Sequence, residues 1–273
     1  MNCLKKQLIT CMCCVAPLLT WAGEDDFGVW TEIGVQKELS KKWDVGAETD
    51  FRSQQKDRWS IGADVGFRPC KYLKLGAAYN FLYTYHPEEI TKQQYDDGEL
   101  TGYRWTDNYW SSRHRLSFDV TGTAKLWKWL RISLRERYQF TYRCPQTLSR
   151  TDVELTENYT PQGFVTQETR TSNPKERKGK DDHILRSRLK LSYDRKHARL
   201  CPFLYAEFHN ELDNAMELQK IRTAVGMEYK ISKRNEISLS YLLNFDIHDD
   251  EDSTHEPLHE RLHVLSIGYN YNF

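Results

Sequence analysis

The sequence predicts an all-β chain: an antiparallel, up-and-down transmembrane β-barrel of ten to twelve strands behind an N-terminal signal peptide. Three observations predict it. In the closing segment, Arg261 to Phe273, the residues His263, Leu265, Ile267, Tyr269, Tyr271 and Phe273 share one face, and Leu262, Val264, Ser266, Gly268, Asn270 and Asn272 share the other. The same period of two recurs along the chain, and aromatic residues gather at both ends of the alternating segments. After residue 22 no apolar run approaches the roughly 20 residues that a spanning helix needs. A membrane location then requires a closed barrel, the other architecture that satisfies every backbone group in lipid.

Residues 1–22 have the layout of a secretory signal. Lys5 and Lys6 form a basic start, Leu8 to Leu19 an apolar stretch, and Thr20-Trp21-Ala22 a cleavage site. The apolar stretch is too short for a membrane anchor. Thr10 stands before Cys11 where a lipoprotein usually has Gly, Ala or Ser. Residues 23–273 are left as one outer-membrane β-barrel.

Alternation places strands near residues 27–38, 43–52, 58–68, 72–85, 112–124, 130–142, 183–194, 202–212, 219–230, 236–248 and 261–273. In the second, Trp43, Val45, Ala47, Thr49 and Phe51 alternate with Asp44, Gly46, Glu48, Asp50 and Arg52. Several strands follow a short basic turn and run toward an aromatic, as Lys41-Lys42-Trp43 to Phe51 and Lys233-Arg234 to Phe245 do. The opposite ends carry long loops near 86–111, 143–182 and 249–260. Short turns at one end and long loops at the other are the asymmetry of periplasmic and extracellular sides. Eleven strands is an odd number, whereas single-chain bacterial barrels normally have an even one. Either a further strand lies in 143–182, or residues 27–38 pair in another way, or the closure is unusual.

Lys+Arg and Asp+Glu both number 39, so there is no basic excess of the kind that nucleic-acid binding requires. Of the seven cysteines, Cys3, Cys11, Cys13 and Cys14 fall in the signal segment. Cys70, Cys144 and Cys201 each adjoin a proline, which places them at strand ends. Cys70 and Cys201 share a rim in this topology and either pair or stand as isolated small apolar residues.

Trp30 to Lys42 (WTEIGVQKELSKK), Trp43 to Arg52 (WDVGAETDFR) and Tyr72 to Phe81 (YLKLGAAYNF), with the terminal aromatic strand, carry a family resemblance. The chain resembles an uncharacterised outer-membrane β-barrel family of Gram-negative, Bacteroides-type bacteria, a domain of unknown function designated DUF2490. The resemblance implies fold and location. It brings no activity, no cofactor and no catalytic residue.

Chemistry has to come from the charges. His255-Glu256-Pro257-Leu258-His259 fits the H-E-x-x-H pattern, but Pro257 between the imidazoles forbids the helix that zinc chemistry needs, so a solvated loop is expected. The inward phase puts Arg113, Arg115, Arg131, Arg135, Arg137, Arg186, Arg188 and Lys190 on three neighbouring strands, a basic wall. Glu32, Glu48, Asp50 and Asp64, with Glu207 and Glu211, form acidic walls beside it. Two readings follow. Either the walls set up a field that orients a small anionic or zwitterionic solute, or opposite walls pair across the lumen and close it. A hydrolase acting on lipid or acyl ester is the alternative class. It would need His114 with a neighbouring outward Ser, which the pattern lacks, or the inward pair His209 and Glu207. The expected role is non-enzymatic, a narrow channel or a closed structural barrel, without metal. The expected partners are outer-membrane lipids and lipopolysaccharide, with the barrel-assembly machinery meeting the C-terminal Phe273.

Overall fold

Period-two alternation becomes pleat. The computed structural model describes residues 25–54, 56–96, 99–160, 163–195, 198–213, 215–247 and 260–273. Four strands open the chain, β1 (Asp25–Glu38), β2 (Trp43–Ser53), β3 (Arg58–Cys70) and β4 (Leu73–His86), followed by a short hairpin, β5 (Glu89–Asp96) and β6 (Glu99–Thr106). Two long strands come next, β7 (Tyr109–Trp127) and β8 (Leu130–Arg143). Beyond them lie β9 (Gln146–Leu148), β10 (Arg150–Thr160), β11 (Gly163–Ser172) and β12 (Lys175–Arg177). The chain finishes with β13 (Lys180–Tyr193), β14 (Leu200–Glu211), β15 (Glu217–Lys230), β16 (Asn235–Asp246) and β17 (Glu260–Asn272).

Eleven of these strands close a barrel in the order β1-β17-β16-β15-β14-β13-β8-β7-β4-β3-β2. The expected wholly antiparallel closure is corrected: β1 pairs with β17 in parallel, from Asp25 opposite Arg261 to Gln36 opposite Asn272. The reason is parity. Strands that alternate in direction leave the first and last of an odd set pointing the same way, so they can meet only in parallel. The barrel is therefore mixed, and the eleven alternating segments account for all of its strands.

Two expected loops carry structure of their own. β5 and β6 join the β10–β11 hairpin in a four-stranded sheet, β11-β10-β6-β5, beyond the long-loop end, and β9 pairs with β12. Strand β5, EITKQQYD, is exposed along its whole length and has no apolar face for a period of two to reveal. Arg104 donates to Asp152 (Nε to Oδ1, 2.6 Å) and fastens β6 to β10. Residues 1–22 and the His255–His259 motif lie outside the described residues.

The outward face is apolar: Ile33, Val65, Leu116, Leu134, Leu189 and Leu239 all stand exposed on it. A continuous apolar band on a protein surface marks contact with lipid or a partner. Aromatics bracket the band. At the short-turn end, Trp43 packs on Phe67 (4.6 Å between ring centres) and Trp127 on Trp129 (5.8 Å); at the other, Phe51 packs on Trp59 (4.4 Å) and Tyr83 on Trp110 (4.6 Å). Outward histidines are covered by a tyrosine diagonally across the strand pair. Tyr79 Oη lies 2.8 Å from His114 Nδ1 and Tyr138 Oη 2.6 Å from His183 Nδ1, and Tyr241 contacts His263 in the same way.

Cys70 and Cys201 do not pair. Both are free thiols, on β3 and β14, and β4, β7, β8 and β13 stand between those strands around the wall. Inside, Trp30, Ala224, Leu242 and Val264 form a small apolar cluster against which Tyr205 and Leu262 pack. Near the short-turn rim, buried Asp44 accepts from Lys74 Nζ (2.8 Å) and Gln36 Nε2 (3.0 Å) and pairs with Arg68 (3.1 Å). Gly66 permits that approach. A Cβ there would come within 2.5 Å of both Asp44 and Lys74.

Candidate functional site

The inward face encloses a cavity of about 560 Å³. Arg115, Arg135, Arg137, Arg186, Arg188 and Lys190 line it, together with Glu32, Glu48, Asp50 and Asp64. Arg113 sits nearer the long-loop mouth, with its enclosed Nε lacking a hydrogen-bond partner. Arg131 lies at the opposite rim, where its Nη2 is 2.6 Å from Asp194 Oδ2. Glu211, near the end of β14, accepts from Gln219 on β15.

The centre of the site is Glu207, which is fully buried. Registration on β8 and β13 sets Arg186 opposite Arg137 and Arg188 opposite Arg135. Like charges directly opposite on one face repel. Two carboxylates from flanking strands resolve the conflict. Asp119 on β7 holds Arg137 in a bidentate pair, with Nη2 to Oδ2 at 2.7 Å. Glu207 on β14 takes the rest: Arg186 Nη2 at 2.6 Å, Arg135 Nη2 at 3.1 Å, Arg188 Nε, and His209 Nε2 at 2.8 Å, with Arg222 Nη1 at 3.7 Å. Arg186 also donates to Gln139 Oε1 at 3.1 Å, and Arg222 Nε to Asn244 Oδ1 at 2.5 Å. Trp30 adds its ring face, with the Arg52 guanidinium 4.1 Å and the Arg222 guanidinium 5.0 Å from the ring centre.

The expectation of segregated acidic and basic walls is corrected. Glu207 is the hub of the basic region and belongs to no acidic wall. The strands expected to be acidic carry Arg52 and Arg58, of which Arg52 Nε is 2.8 Å from Asp50. Lumen ion pairs run along the wall between strands at most two places apart. Lys190 with Glu228 (2.8 Å, β13 to β15) and Lys220 with Asp246 (2.7 Å, β15 to β16) are examples. The physical reason is reach: neighbouring strands lie ~5 Å apart, so a long side chain meets a partner beside it before one across the barrel.

Sequence reasoning missed Arg52, Arg58, Arg143, Arg222, Asp119 and Glu228. The signal was there, since each shares the inward phase of its strand. The two candidate enzyme histidines are both engaged, His114 by Tyr79 on the outward face and His209 by Glu207 within the arginine hub.

A closed, girdled barrel with a charged lumen is an outer-membrane-type β-barrel, and a solved structure of that class shares its fold. The translocator domain of autotransporter NalP from Neisseria meningitidis matches with a TM-score of 0.52 at 9% identity, over 87% of this chain and 77% of that one. The outer membrane protease OmpT from Escherichia coli matches with a TM-score of 0.36 at 11% identity, over 73% of each. Within that class the chain belongs to the family described as protein of unknown function DUF2490, which matches residues 27–255. No curated protein matches the sequence.

Proposed function

We propose that the protein is exported, inserted in the outer membrane of a Gram-negative bacterium, and acts there as a narrow channel preferring small anionic or zwitterionic solutes. The observation that carries this reading is that the lumen ion pairs run along the wall and leave a cavity of about 560 Å³ whose most cationic region centres on Glu207. Had the pairs crossed the barrel, a plug would be the better reading. Eight strands leave room for side chains alone and about sixteen leave a wide aqueous pore, so eleven suits a restricted path. Rings of charge at such a constriction select by sign. On this reading the apolar band meets outer-membrane lipids and lipopolysaccharide, and the exposed terminal Phe273 is the element offered to the barrel-assembly machinery. A hydrolase is less well supported, because His114 and His209 are held by Tyr79 and Glu207.

The test is conductance in planar bilayers. Folded, heat-modifiable protein should give discrete openings, and R135E with R188E should move the reversal potential toward cation preference. A folded barrel without conductance overturns the channel and leaves a closed structural barrel.

A further inference from the structure

Arg113 on β7 and Arg143 on β8 are directly opposite in register, both on the inward phase, at the long-loop mouth of the lumen. Among the described residues no carboxylate is ion-paired with either, in contrast to the arginines around Glu207. The Nε of each is enclosed and lacks a hydrogen-bond partner, and neither side chain makes an ion pair among the described residues. On the far side of Arg143, Lys180 is its register partner on β13. Asp182, on the inward phase of β13 beside them, acts electrostatically on Arg113 and is shared with Lys180, whose Nζ lies 3.3 Å from its Oδ1.

A third guanidinium is aimed at the same mouth. Arg177 on β12 donates from Nη1 to Tyr109 Oη at 3.2 Å. Tyr109 stacks on His86 at 4.4 Å with the rings 8° from parallel, and His86 Nε2 lies 2.9 Å from Ser111 Oγ. Lys56, Arg113, Arg143 and Arg177 all act electrostatically on this His86. A stacked aromatic shelf and a hydroxyl therefore flank Arg113, Arg143 and Arg177, none of which makes an ion pair among the described residues.

We infer that this mouth is an oxyanion site, in which Arg113, Arg143 and Arg177 receive a phosphate-type dianion. Guanidinium forks match tetrahedral oxyanions bidentately, and among the described residues neither Arg113 nor Arg143 commits its fork to a carboxylate. Several converging cations favour a dianion over a monocarboxylate. The shared chemistry is a phosphate group, free or carried as a monoester on a soluble molecule. The site deepens the channel reading by naming a solute class, but its geometry does not depend on conduction.

The experiment titrates the full-length, detergent-folded barrel with inorganic phosphate and, separately, with glycerol phosphate. Ionic strength is held constant with chloride, and binding is followed by calorimetry. Saturable binding is expected, weakened at least tenfold by R113Q and by R143Q, and unchanged by R131Q at the opposite rim. Tighter binding of glycerol phosphate than of phosphate identifies a monoester as the preferred source; the reverse identifies the free ion. Because R113Q and R143Q remove one of two opposed cations, both should stay folded and melt higher than the parent in phosphate-free buffer. Absence of phosphate binding by the folded parent, or binding that survives both substitutions, overturns the site. Phosphate binding without conductance keeps the site and removes the channel, and conductance without phosphate binding does the opposite.

Discussion

Replacing Glu207 with Gln removes a single negative charge from an enclosed position where Arg135, Arg186, Arg188 and His209 all donate. The amide is nearly isosteric, so packing changes little and electrostatics carries the effect. Breaking a buried ion pair by removing one partner costs about 3–5 kcal/mol, because the remaining charge stays desolvated. The arginines keep 11–22% of their side-chain surface open to the cavity, which screens part of that cost and favours the lower end, about 3 kcal/mol. At about 2–4 °C per kcal/mol for a chain approaching this size, E207Q should melt about 6–12 °C below the parent. Barrels unfold irreversibly on heating, so the comparison is made at one scan rate, following loss of heat-modifiable mobility on gels. R188Q added to E207Q should recover part of the loss by removing one of the stranded cations. A fall below about 2 °C for E207Q would refute Glu207 as the hub, since four donors on one enclosed carboxylate cannot be that cheap to strand.

Three further outcomes follow from the same geometry. With Cys70, Cys144 and Cys201 replaced by Ser, the pairs V29C with L265C and V35C with Y271C should both form disulfides, because β1 and β17 are parallel partners at both positions. An antiparallel closure could bring only one of the two pairs together, so a single cross-linked pair would sink the parallel seam. In the sheet beyond the barrel, hydrogen bonds from Arg104 and then Asn173 lower the Asp152 carboxyl to about 2. A lowered carboxylate stabilises above its ordinary value, near 4, and that stabilisation is lost as pH falls through about 2. Protection factors in β6 and β10, which normalise exchange to its intrinsic rate at each pH, should therefore fall between pH 4 and pH 2 in the parent, and D152N should already show low protection at pH 4. Finally, W30A removes the ring that packs with Ala224, Leu242 and Val264 and faces two guanidiniums. It should cost about 3–5 kcal/mol of stability and, in a channel, raise unit conductance; equal stability of W30A and parent counts against the cluster as an interior support.

Much of this molecule is local and therefore readable along the chain. Alternation in stretches such as Trp43–Arg52 and Arg261–Phe273 sets which side chains face out, because the pleat flips each successive residue. The inward phase of Arg135, Arg137, Arg186, Arg188 and Glu207 follows from it, as do the two aromatic girdles. β5 was not legible, since a strand exposed along its length has no apolar face to alternate.

Sequence alone thus determined strand spans, facing and the broad placement of charge, all consequences of a two-residue period. The tertiary structure decided what depends on register between strands. It turned the odd strand count into a parallel β1–β17 seam and set Arg186 and Arg188 against like charges on β8. It also delivered Glu207 to the first cluster and, among the described residues, no ion-paired carboxylate to Arg113 and Arg143. The reason is that facing is a property of one strand, whereas a charge's partner depends on the stagger of its neighbours, which is settled only when the barrel closes.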